Sequence, residues 1–158
     1  MRTTWTTRMM GALAVLVVAV PLVAHHTFGA EFDVNAPIQL EGTVVRLEWV
    51  NPHAWIHVEV SRMVQCTTEI VPDDPSEEVW RVEGGSPRGL VVRGLRRECL
   101  PYGAQLIING YRAKNRTQKR ANGRSVTFPD GREFFLGSSV GDSPKDGAEA
   151  RGNHPGGC

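Results

Sequence analysis

The chain lacks an apolar run long enough to cross a membrane, lacks a charge imbalance, and lacks the short signatures of an activated nucleophile. Its longest apolar stretch, Met9 to Val20, has 12 residues, whereas a helix needs roughly 20 to span the hydrocarbon core. Stable membrane insertion is therefore not expected once the amino-terminal segment is removed. The formal net charge of +1 points to no class of partner. Neither Ser86 nor Ser125 lies in the Gly-x-Ser-x-Gly context of a strained nucleophile turn, so hydrolase chemistry has no support. Asp33, Glu48 and Glu59 are available carboxylates, but nothing places two of them together for acid and base work. The chain also lacks internal repeats and any sign of a second domain.

What is present begins with targeting. Arg2 and Arg8 precede the apolar stretch, and Pro21, Leu22, Val23 and Ala24 close it, the order of charged, apolar and cleavage regions in a secretory signal peptide. Cleavage is expected after Ala24, with Ala30 the main competitor, and no cysteine stands there to accept a lipid. Residues 1–24 are thus read as a signal peptide, 25–137 as one small β domain and 138–158 as a disordered tail, rich in Gly, Ser, Asp and Pro and poor in apolar residues. The expected location is the periplasm or the medium. The remaining 134 residues carry a formal charge of −1 and suffice for one core without staples. Cysteines can pair in that compartment. Cys66 with Cys99 is the expected bridge, leaving Cys158 as an accessible thiol, and the alternative is that all three are reduced.

Alternation carries the fold. From Ile38 to Trp49, apolar or small residues alternate with Gln39, Glu41, Thr43, Arg46 and Glu48, a half-buried strand, and the phase slips just after Gly42 as a bulge in a bent strand would require. After Asn51 and Pro52, a second strand puts Ala54, Ile56, Val58 and Val60 on one face and His53, Trp55 and His57 on the other. Arg62 to Glu78 reads as a long loop, and Val79 to Glu83 as a third strand. Ser86 and Pro87 start a short helix that Gly94 stops. Strands follow at Gln105 to Arg112 and Arg124 to Phe128, and the turn Phe128-Pro129-Asp130-Gly131 leads into Glu133 to Leu136. Three strands, a helix, then two or three strands predict a mostly β chain forming a small OB-like Greek-key barrel with one short helix, a β-sandwich being the rival.

AHHTFGAEFD (24–33), EGTVVRLEWVNPHAWIHVEV (41–60), EGGSPRGLVVRG (83–94), GYRAK and RSVTFPDG together resemble a family of small exported bacterial proteins catalogued as domain of unknown function 6152. NPHAW and AHHTF are the most specific parts. The resemblance implies a fold and an exported location, and no activity. The long segment carrying Cys66 and the basic segment before Ala121 depart from the compact pattern.

Four of the five histidines fall in two pairs, His25 with His26 and His53 with His57. If the mature chain starts at His25, its α-amine and ring nitrogen form a chelate that one further imidazole completes as a histidine brace, a nitrogen set that favours copper(II). The third ligand is expected to be His53 or His57, but not both. Four residues along a strand span about 13 Å, so those two do not chelate one ion together. Ordinary surface histidines are the alternative.

A second expectation rests on Arg112, Lys114, Arg116, Lys119, Arg120 and Arg124, a basic run without an acidic residue, read as a loop where such barrels bind extended ligands. For an exported protein the ligand would be an anionic molecule or an acidic protein rather than nucleic acid. A solvated loop is the alternative. Most of Trp49, Trp55, Trp80, Tyr102 and Tyr111 should fill the core, while Trp55 shares the histidine face and marks a binding surface. The sequence therefore reads as a binding module, with copper first, an anionic ligand or protein partner second and a histidine-brace redox enzyme third.

Overall fold

The computed structural model describes residues 28–137; the expected signal peptide, His25, His26 and the expected tail from 138 lie outside the described residues. A four-residue helix α1 (Phe28–Glu31) leads into β1 (Phe32–Glu48), a 17-residue strand. The remaining elements are β2 (Trp55–Gln65), β3 (Thr68–Ile70), β4 (Val79–Glu83), the helix α2 (Pro87–Val92), β5 (Gln105–Ala113), β6 (Arg120–Thr127) and β7 (Glu133–Phe135).

β1 closes the fold because it pairs on both edges. Ile38 to Glu48 run antiparallel to β2, and Pro37 to Thr43 run antiparallel to β5. Register shifts between Glu41 and Gly42 and between Val44 and Arg46 bend the strand, which is the bulge the phase slip required. Gly42 is the residue that permits it, since a Cβ there would overlap the Glu59 carbonyl and lie 2.9 Å from Val58 Cγ1. With β2–β4 and β5–β6 antiparallel and β4–β6 parallel, the ring runs β1-β2-β4-β6-β5 and back to β1. Apart from the short β3 and β7, this is the first-second-third-fifth-fourth Greek-key order of an OB-like, barrel-like fold.

The interior follows from the alternation. Leu40 and Val44 from β1, Ile56, Val58 and Val60 from β2, Trp80 and Val82 from β4, Leu106 and Ile108 from β5, and Val126 from β6 form one buried cluster. Leu90 of α2 joins it. That helix starts where the sequence places it, with Pro87 in the first turn and the Ser86 hydroxyl accepting from the Gly89 amide at 3.2 Å. A separate small cluster of Phe28, Phe32 and Ala113, with Tyr111 against it, packs the chain's first described segment onto the outside of the ring.

Three expectations need correction. Arg62 to Glu78 is not one loop: β2 continues to Gln65 and folds into a hairpin with β3, and Pro75–Glu77 form a 3-10 turn that Asp74 caps through its carboxylate. The basic loop is shorter than expected. Arg112 and Arg124 lie in strands as the alternation required, but Arg120 also lies in β6, which starts four residues earlier than its apolar residues alone suggest because Arg120 and Asn122 occupy its outer face. Finally, Cys66 and Cys99 are not bridged. Cys66 is a free, exposed thiol at the tip of the β2–β3 hairpin, where φ is 56°, whereas Cys99 is buried in the 3-10 turn Arg97–Cys99 ahead of β5.

Candidate functional site

Because Ile56, Val58 and Val60 point inward, Trp55 and His57 stand on the outer face of β2. Register then decides their neighbours: Trp55 lies opposite Glu48 and Glu83, and His57 opposite Arg46 and Arg81. β6 adds Arg120 beside Arg81 and Asn122 beside Glu83. Four strands thereby converge on one polar face around a tryptophan, the β2–β4 face on which OB-like folds take ligands. The β1–β2 connection, residues 49–54 with a cis Asn51–Pro52 bond, borders it at one end, and the β5–β6 connection borders the other.

Charges on this face are paired in sequence around Trp55. The Arg81 guanidinium lies 3.9 Å and that of Arg120 4.7 Å from the Trp55 ring centroid, stacked as cations are on an electron-rich ring. Arg120 Nη2 donates to Glu83 at 2.9 Å and to Glu31 at 2.6 Å. His57 Nε2 lies 2.8 Å from Glu48 Oε1, and Arg46 and Arg81 stand 3.5 and 3.7 Å from the same carboxylate. The hydrogen bond from His57, with the two arginine charges, holds the Glu48 carboxyl below the usual carboxylate range. The face is thus close to neutral. It is not fully satisfied: Arg120 Nε and Asn122 Oδ1 are buried without a hydrogen-bond partner, a donor and an acceptor that a bound polar group or water would complete.

The two histidines differ in what they leave open. His53 Nδ1 lies 3.2 Å from the Gly84 carbonyl oxygen and 3.6 Å from Glu83 Oε1. A carbonyl can only accept, so Nδ1 carries a proton, and in the neutral ring the lone pair is then on Nε2. The side chain is 38% exposed. Metal-binding imidazoles are held in just this way, by a backbone carbonyl or carboxylate on the far nitrogen. His57 is the reverse case. Its Nε2 is committed to Glu48, and the side chain is only 16% exposed, which makes it a packed partner of the strand face. Among the described residues no three potential ligands converge on one point.

The basic residues expected to hold an anion are instead occupied by the chain itself. Arg116 pairs with Asp33, Lys119 with Glu78, Arg120 with Glu31 and Glu83, and Lys114 donates to the Gly29 carbonyl. Arg112 donates to Gln65 and to the Arg116 carbonyl, and Arg124 lies over the Phe135 ring at 5.0 Å. Around Glu78, burial raises the carboxyl pKa, but hydrogen bonds from Lys119 and from Trp80 outweigh it and leave the group below its usual range. Sequence reasoning missed Glu31, Glu83, Arg81 and Asn122 as members of the site. Only their alternation phase pointed outward, and nothing in the sequence links the four strands.

A family model described as a family of unknown function (DUF6152) matches residues 13–122. No curated protein and no solved structure matches the chain.

Proposed function

The chain belongs to the DUF6152 family of unknown function, and from that premise we propose that it is an exported binding module, periplasmic or secreted, that holds one copper(II) ion through His25, His26 and His53. The observation that carries this reading is the orientation of His53: with Nδ1 on the Gly84 carbonyl, the other nitrogen of this 38% exposed side chain is the one that a metal would take. An amino-terminal His25 would supply two nitrogens, its α-amine and its ring, and His26 a further imidazole, and tetragonal nitrogen sets favour copper(II). His57 drops out as the third ligand, its outer nitrogen being bound to Glu48. The ion pairs of Arg116, Lys119 and Arg120 weigh against the anionic-ligand reading. Nothing on the face selects redox chemistry over simple binding.

Intact mass spectrometry of the exported protein, native and denatured, with and without copper(II), tests this. The expected result is a chain starting at His25 that retains one copper, loses it on addition of an alanine before His25 or on His53→Ala, and keeps it on His57→Ala. A chain that starts elsewhere, or one that takes up no stoichiometric copper, would overturn the metal reading.

A further inference from the structure

Residues 28–33 are joined to the Trp55 face through the Arg120 side chain. Residues 28–33 cross the outside of β5 and β6 as a strap. Its apolar contacts, Phe28 and Phe32 against Tyr111 and Ala113, are separate from the main core. Its only regular pairing with β5 before Pro37 is Phe32 opposite Ala113, and the register then breaks. Val34, in that break, is exposed. Backbone pairing alone therefore holds the strap weakly. Two ion pairs add to it: Asp33 with Arg116, which is peripheral, and Glu31 with Arg120, which is not.

Arg120 stands at the junction of strap and site. The same Nη2 atom serves Glu31 of the strap and Glu83 of β4, the guanidinium lies 5.2 Å from the Phe32 ring and 4.7 Å from the Trp55 ring, and the other oxygen of Glu83 is 3.6 Å from His53 Nδ1. All three charged side chains are about three-quarters or more buried. Hydrogen bonds between ionised partners in such surroundings are among the strong ones. We infer that Arg120 is a positioning residue, a latch that holds the strap of residues 28–33 against the Glu83 and Trp55 side of the site. The inference rests on the proposed copper reading for its purpose, though the latch is a property of the described contacts. A lysine cannot replace it fully, because an ammonium can donate to both carboxylates but lacks the flat guanidinium face that lies over the Phe32 and Trp55 rings.

Two measurements on the full exported chain test this together. Amide hydrogen exchange reads the strap through the Lys114 amide, which donates to the Glu31 carbonyl at 2.8 Å, and copper(II) titration reads the site. Arg120→Ala, and independently Glu31→Gln, which leaves the arginine in place, should speed exchange at Lys114 and in the strap about tenfold or more while core amides of β2 keep their protection. Copper affinity should fall by about the same factor without loss of the one-to-one stoichiometry, and Arg120→Lys should recover part of both. Unchanged strap exchange in both Arg120→Ala and Glu31→Gln would overturn the latch. A loosened strap with unchanged copper affinity would overturn its positioning role. If the wild type binds no copper, the proposed function fails on that arm alone, and the exchange data still decide the latch.

Discussion

Replacement of Gly42 by alanine tests the closure of the ring at its tightest point. Gly42 follows the first register shift of β1 and lies opposite Val60 in β2. An added Cβ would overlap the Glu59 carbonyl oxygen and approach Val58 Cγ1 to 2.9 Å, so the two strands must separate or the bulge must move. Overpacking of this kind costs about 1–3 kcal/mol. Displacing the Glu59 carbonyl weakens one or two backbone hydrogen bonds, at about 0.5–1.5 kcal/mol each. Alanine returns about 0.4–1 kcal/mol by restricting the unfolded chain. The net loss is about 2–4 kcal/mol, a large part of the roughly 5–15 kcal/mol that holds a domain together. Urea unfolding followed by far-ultraviolet circular dichroism measures it. Gly29→Ala is the control, since a Cβ there meets nothing within 4 Å, and its effect should stay within about 0.5 kcal/mol. Equal midpoints for the two variants, with equal slopes, would refute the claim that close backbone approach at this bulge closes the ring.

Trp80 is 1% exposed in the main cluster and donates to Glu78 at 2.8 Å; Trp80→Ala should cost about 3–5 kcal/mol by the same unfolding assay, far more than truncation of the outward Trp55. Acid should destabilise the protein partly through Glu78. Its folded pKa is depressed, so its contribution is present above the ordinary glutamate value of about 4.3 and is lost as pH falls through the lower folded value. Urea midpoints compared at about pH 5 and about pH 3 should therefore fall more for the wild type than for Glu78→Gln, and a parallel fall in both would contradict that assignment.

Much of the fold was legible in the sequence because period-two alternation is a local property. The apolar positions of β1, β2 and β4, the helix start at Ser86 and Pro87, and the slip after Gly42 each follow from residues within one element. The elements that escaped were those whose signal is weak or nonlocal. β3 is three exposed residues held only by its hairpin partner, and the start of β6 has polar outward residues that read as loop. The site was legible only in part. Alternation placed Trp55 and His57 on an outer face, but it could not tell His53 from His57 by the partners of their ring nitrogens. That distinction depends on the Gly84 carbonyl and on Glu48, which register and the β1 bulges bring to them.

By itself, then, the chain's pattern determined a mostly β domain, its strand phases and the residues free to face outward, because side-chain burial on a pleated strand repeats every two residues. Only the tertiary structure decided what those residues meet. Arg116 and Asp33 are 83 positions apart, and Arg120 and Glu31 are 89. Two arginines of a basic run that looks open to an anion are paired with acids of a distant segment, since ion pairing depends on separation in space, which closure of the ring sets and no local pattern records.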